Sequence, residues 1–132
     1  MTQKIADILS EKWDKEIPFS ANNTVLRVYK DGGKELMLHG NYIAGFDSKR
    51  RAGFDFSCAG WATKTTMTRL NAILNPVGIS MFIEKGQLRL SVRTSSNLPE
   101  MVKPIHTNSW YNTEDILNEY SQYLVNIEME KA

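Results

Sequence analysis

Residues 79–94 read ISMFIEKGQLRLSVRT, and this stretch decides the fold class. From Gln87 onward, Leu88, Leu90 and Val92 alternate with Arg89, Ser91 and Arg93. A two-residue period sends successive side chains to opposite faces of a strand, so this one buries its aliphatic face and turns its arginines outward. Lys85-Gly86 separates it from a second run of β-type residues, and glycine supplies the positive φ that a tight hairpin turn needs. The pair therefore predicts an antiparallel hairpin with one wet face.

Working outward, the same grammar recurs. Residues 22–40, NNTVLRVYKDGGKELMLHG, form two short β-type runs joined by Asp31-Gly32-Gly33. In AGFDFSCAG, residues 52–60, Phe54, Phe56 and Cys58 share one face and Asp55 and Ser57 the other, which extends the sheet. Ile5, Ile8, Leu9 and Trp13 fall at helical spacing, with Thr2 as a cap and Pro18 as a stop, predicting a helix over about residues 3–16. After Gly60-Trp61 the period returns to helical through Met67, Leu70, Ile73, Leu74 and Val77. Thr63, Thr65 and Thr66 are the candidate caps there, and Asn75-Pro76 with Gly78 forms the exit. Residues 94–112 hold two prolines and no period and read as a surface loop pinned by Trp110 and Tyr111. Thr113 then caps a last helix, with Glu114 and Asp115 in its first turn and Ile116, Tyr120, Tyr123, Leu124 and Ile127 inward. Strands in hairpins without βαβ alternation predict one α+β domain over residues 1–132: an antiparallel sheet of about five strands with helices packed on one face.

Composition narrows the function classes. A chain of 132 residues, 42% apolar and 23% charged, has enough length and ordinary enough usage to bury its own core. One cysteine excludes an internal disulfide, and with only two histidines it leaves no zinc-ligand spacing, so a reducing cytoplasm fits and no metal or cofactor is expected. No run approaches a signal peptide or the roughly 20 apolar residues of a membrane span. HExxH, GxSxG, GxxxxGK[ST] and GxGxxG are all absent, which predicts a protein that binds rather than one that catalyses. His39 is a general base only if the fold sets a carboxylate beside it, and its ordinary reading is a polar group at a strand end. His106 lies in a polar loop. Cys58, alternating with Phe54 and Phe56, reads as a small buried hydrophobe.

Charge is unevenly spread. Residues 1–19 carry three lysines against four acids, residues 20–110 twelve Lys/Arg against six acids, and residues 111–132 one lysine against five acids. A basic middle between acidic ends points to an anionic partner. The candidate nucleic-acid contacts are the Lys49-Arg50-Arg51 run, Arg89 and Arg93 on the wet strand face, and the helix start at Lys64, Thr65, Thr66 and Arg69. There free N–H groups, hydroxyls and cations occur together and suit a phosphate, although the threonines equally well serve as plain caps. Tyr42, Phe46 and Trp61 are aromatic residues near that surface able to stack on bases, with Phe46 and Trp61 expected in the core.

LHGNYIA at residues 38–44, followed by GWATKTTMTRLNAIL at 60–74, resembles a pattern found in small proteins of tailed bacteriophages, over about residues 36–92. The matching positions are His39, Asn41, Trp61, Thr63, Thr65, Thr66, Arg69 and Asn71. The resemblance implies an origin in a mobile element and no particular reaction. The expectation is a non-catalytic phage accessory protein that binds nucleic acid or a nucleoprotein in the host cytoplasm. The alternatives are a protein-only inhibitor of a host defence or transcription factor, acting through Trp110, Tyr111 and the last helix, and, third, an enzyme.

Overall fold

The computed structural model describes residues 4–49 and 52–131. Thr2, Arg50 and Arg51 lie outside the described residues. Helix α1 spans Ile5–Lys15 and begins without a side-chain cap; Glu16 ends it in the left-handed region (φ 59°), two residues before Pro18. Strands β1 (Phe19–Ala21), β2 (Thr24–Val28), β3 (Lys34–Leu38), β4 (Asn41–Phe46) and β5 (Asp55–Phe56) follow, then α2 (Lys64–Leu74) and a 3-10 turn at Asn75–Val77. The hairpin β6 (Ile79–Glu84) and β7 (Gln87–Val92), β8 (Met101–Pro104), β9 (Tyr111–Asn112) and α3 (Thr113–Lys131) complete the chain. The strands form two antiparallel sheets, one in the order β1-β2-β3-β4-β5-β9 and a smaller one in the order β6-β7-β8. The class is the α+β antiparallel class that the hairpin grammar predicts.

Tight turns explain why the strands pair consecutively. Asn22-Asn23, His39-Gly40 and Lys85-Gly86 all have positive φ at both central positions, the conformation of the primed two-residue turns whose twist matches that of paired strands. Between β3 and β4 the register slips after Leu36: Leu36 faces Ala44, but Met37 faces Tyr42. The residue left over is Ile43, and this bulge lets Ile43 and Ala44 both point into the core. Leu26, Leu36, Ala44 and Phe56 oppose one another across four strands as a single buried row. Trp13 of α1 meets Phe54 edge-on at 5.0 Å, and Leu70, Ile73 and Leu74 of α2 close the core against the Ile79–Val92 hairpin. As the alternation requires, Leu88, Leu90 and Val92 are buried.

Four details differ from the sequence expectation. Residues 94–112 are not all loop, because Met101–Pro104 pairs with β7 and Tyr111–Asn112 with β5. Pro104 is compatible with a strand there because β8 lies at a sheet edge, where its missing N–H breaks no ladder. NYIAGF, residues 41–46, is a strand of its own, and the His39-Gly40 turn announces it. The cap of α3 is Asn112, whose Oδ1 accepts from the N–H of Glu114 (2.8 Å) and of Asp115 (3.2 Å). Thr113, expected in that role, is buried and accepts instead from Phe54 N–H at 3.0 Å. Ser57, expected outside, is buried, with its hydroxyl accepting from Ala59 N–H.

Candidate ligand cavity between two strained turns

The two segments with the phage-like pattern meet in space. Ser57 N–H donates to Ile43 O at 2.9 Å, carrying the chain beyond β5 alongside β4. Four residues then reverse it: Trp61 N–H donates to Cys58 O at 2.9 Å, and the intervening Ala59 (φ 52°) and Gly60 (φ 84°) both have positive φ. This is a second primed turn beside the His39-Gly40 turn (φ 51° and 79°). A side chain in the left-handed region costs roughly 1–2 kcal/mol, so His39 and Ala59 are held where an unconstrained chain would place glycine. At Gly60 it is the positive φ that favours glycine, since a Cβ there would meet only the end of the exposed Asn108 side chain, which can swing aside.

Between the turns and the start of α2 lies a cavity of about 470 Å³. Leu38, Ile43, Cys58 and Ala59 give it apolar walls; His39, Asn41, Thr63, Thr65 and Thr66 bring polar groups, and Trp61 flanks it. The volume falls in the range of small-molecule sites, and an apolar pocket with a few convergent polar groups is their usual form. Thr63 caps α2 by accepting from Thr66 N–H at 3.2 Å, and the two threonine hydroxyls bond to each other at 3.0 Å. By contrast, His39, Asn41 and Thr65 are exposed at its rim, and their side chains make no hydrogen bond to any described residue. Trp61, expected in the core, is 66% exposed; the Ala59-Gly60 turn swings it outward. Phe46 is half-buried under the ammonium of Lys34, which lies 5.4 Å from its ring centre and 5.0 Å from that of Trp13.

Cys58 is buried with its Sγ 3.4 Å from Met81 Sδ, and burial pushes its thiol up to about 11, so it stays protonated near neutral pH. No group of three His, Cys, Asp or Glu among the described residues is placed to hold a metal ion.

The predicted contact residues divide by position. Thr65 and Thr66 line the cavity, with exposed Lys64 next to them at the first position of α2. Arg69 points to β2, where its Nε donates to Thr24 Oγ1 at 2.9 Å; burial lowers its pKa. Asn71 is structural: its Oδ1 accepts from Met81 N–H at 2.7 Å and its Nδ2 donates to Met81 O at 2.9 Å, so one side chain serves the edge of β6 as a neighbouring strand would. Lys49 is exposed past the far end of β4, whose five steps from Asn41 to Phe46 span ~17 Å at the usual strand rise. Arg89 lies on β7 of the other sheet, where its Nε comes within 3.9 Å of Glu84, and Arg93 directly follows that strand. Sequence reasoning missed the cavity itself, and the available signal was the pair of X-Gly turns, His39-Gly40 and Ala59-Gly60.

The family model for the Kyanoviridae Gp96 protein matches residues 2–120, which include both turns and the whole cavity lining. No curated protein and no solved structure matches the chain. No described helix is long and apolar enough to cross a membrane.

Proposed function

The chain belongs to the Kyanoviridae Gp96 family of tailed phages, and from that premise we propose that it is a non-catalytic phage accessory protein that binds nucleic acid or a nucleoprotein in the host cytoplasm. The observation that carries this reading is the exposed Trp61 beside a cavity whose imidazole, amide and one hydroxyl have no protein partner among the described residues. A large aromatic surface left in water forgoes its own burial energy, and stacking on a base is sequence-tolerant and worth ~1–3 kcal/mol. No carboxylate lines the cavity to repel a phosphate backbone, and Lys64 adjoins it. Lys49, Arg89 and Arg93 supply further cations for backbone contacts away from the cavity, and the sequence adds Arg50 and Arg51.

Fluorescence anisotropy with single- and double-stranded probes at several salt concentrations tests the reading. Affinity falls steeply as salt rises, and replacing Lys49, Arg50 and Arg51 together by Ala flattens the salt slope by up to about 3, one unit for each phosphate no longer neutralised. Absence of binding at low salt refutes it.

A specific observation favours the second reading, a protein-only inhibitor of a host defence or transcription factor. On α3, Val125 and Met129 are one turn apart, 50% and 70% exposed, and Trp110 is exposed near the start of that helix. Capture of a host protein that persists after nuclease treatment and is lost on Val125→Lys with Met129→Lys supports that reading over the first.

A further inference from the structure

We infer that the cavity between the His39-Gly40 and Ala59-Gly60 turns is a pocket for a single unstacked nucleobase, with Trp61 as its stacking surface and Asn41 as the group that reads the base edge. The inference rests on the nucleic-acid reading above and names what the site holds.

Charge is the first argument. None of the ten lining residues is a carboxylate, lysine or arginine, so the pocket itself is built neither for a metal or ammonium ion nor for a phosphate alone. It suits a neutral ligand, with any anionic portion left outside near Lys64. Shape and wetting are the second. Leu38, Ile43, Cys58 and Ala59 present apolar surface that loses nothing by covering a ring face, and the protonated thiol of Cys58 adds no charge there.

Hydrogen-bonding capacity is the third. The Asn41 carboxamide offers a donor and an acceptor side by side, the pairing that matches the edge of a base and adenine in particular. His39 and Thr65 add one group each that can donate or accept, and all three side chains are exposed, with no hydrogen bond to a described residue, so they are open to a ligand edge. The Thr63 and Thr66 hydroxyls, bonded to each other, already serve as the cap. The fourth argument is rigidity. Asn41 opens β4 directly after one primed turn, Trp61 ends the other, and a 2.8 Å bond from Gly60 N–H to Thr107 O holds that second turn. The main chain that carries both residues is thus held before binding, and only the side-chain rotamers remain to be ordered. A base enters such a concave site only when out of its stack, so single strands are preferred to duplex.

The test uses the full chain with two probe classes, the four nucleoside 5′-monophosphates and short single-stranded homopolymers, followed by calorimetry and anisotropy. Trp61→Ala lowers single-strand affinity by roughly 5- to 150-fold, the equivalent of ~1–3 kcal/mol of stacking, and Trp61→Phe restores most of it. Thr65→Trp, at an exposed position, occludes the pocket and lowers affinity while leaving the salt slope unchanged, because the cations that meet the phosphates are untouched. Asn41→Ala compresses the difference between adenine and the other bases. Homopolymer binding that is indifferent to Thr65→Trp and Asn41→Ala overturns the pocket assignment and leaves the nucleic-acid reading intact. Monophosphate binding that Thr65→Trp abolishes, without homopolymer binding, supports the pocket with free nucleotide as the source of the base and overturns the polymer reading. Binding of neither probe overturns both. A far-ultraviolet circular dichroism spectrum and melting curve for each variant separate loss of binding from loss of fold.

Discussion

Replacing Asn71 by Ala is expected to destabilise the protein by about 2–4 kcal/mol, although Asn71 has no place in the cavity lining. The magnitude comes from Met81, a residue only 3% exposed, whose main-chain N–H and C=O both depend on the Asn71 carboxamide, at 2.7 and 2.9 Å. Each net hydrogen bond contributes roughly 1 kcal/mol, and leaving a buried main-chain group unsatisfied adds about 1–3 kcal/mol where water cannot replace the missing partner. Asn71→Asp separates the two bonds. It keeps an acceptor for Met81 N–H but turns an oxygen toward Met81 O, so it is as damaging as alanine or worse. Urea denaturation followed by tryptophan fluorescence measures the effect as a lower midpoint with an unchanged slope. On heating, 2–4 kcal/mol corresponds to a Tm lower by roughly 6–16 °C for a domain of this size. A loss under about 0.5 kcal/mol for both variants would refute the view that Asn71 substitutes for a strand at the β6 edge.

Two further outcomes follow from the packing. Gly53→Ala places a Cβ 2.4 Å from Thr113 Oγ1 and 2.9 Å from Glu114 N at φ 77°, so it disrupts the Thr113-to-Phe54 bond as well as straining the backbone; thermal melting should show a loss of about 2–4 kcal/mol. Cys58, with its thiol pushed up to about 11 by burial, reacts slowly with a thiol reagent at pH 7, and the rate rises as pH climbs toward that value. The sign for stability follows: the folded thiol keeps its proton longer than the unfolded one, so the contribution is present below pH ~8.5 and is lost as pH rises through about 11. A Cys58→Ala variant that removes this alkaline decline identifies the group.

Much of the fold was legible because it is written in short-range rules. Alternation around Leu88, Leu90 and Val92, the Lys85-Gly86 turn, and the helical spacing of Leu70, Ile73 and Leu74 require no distant partner. What escaped depends on partners far along the chain. Met101–Pro104 has neither a clean period nor an N–H at Pro104, and becomes a strand because β7 offers an edge beside it. Asn112 takes the cap of α3 from Thr113 because Phe54, distant in sequence, claims the threonine hydroxyl. The cavity is half legible: Thr63, Thr65 and Thr66 mark the helix start, but the wall they face comes from residues 38–43, which the β4–β5 pairing and the Ser57-to-Ile43 bond bring alongside the segment leading into that helix. Hydrophobicity alone favours burial of Trp61, whereas the positive φ at Ala59 and Gly60 turns the chain outward there.

The most direct test of the central claim is a ¹H–¹⁵N NMR titration of the full chain with a single-stranded oligonucleotide. The three tryptophan indoles serve as separate reporters, one at the cavity, one in the core beside Phe54 and one exposed near α3. The account predicts that the Trp61 indole and the Asn41 side-chain amide shift first and saturate together, with main-chain shifts at His39, Gly40, Ala59, Gly60 and Thr65, while the Trp13 and Trp110 indoles stay in place. Saturable shifts confined to Trp110 and α3, or to Arg89 on β7 and the adjoining Arg93, with the Trp61 indole unmoved, would contradict it.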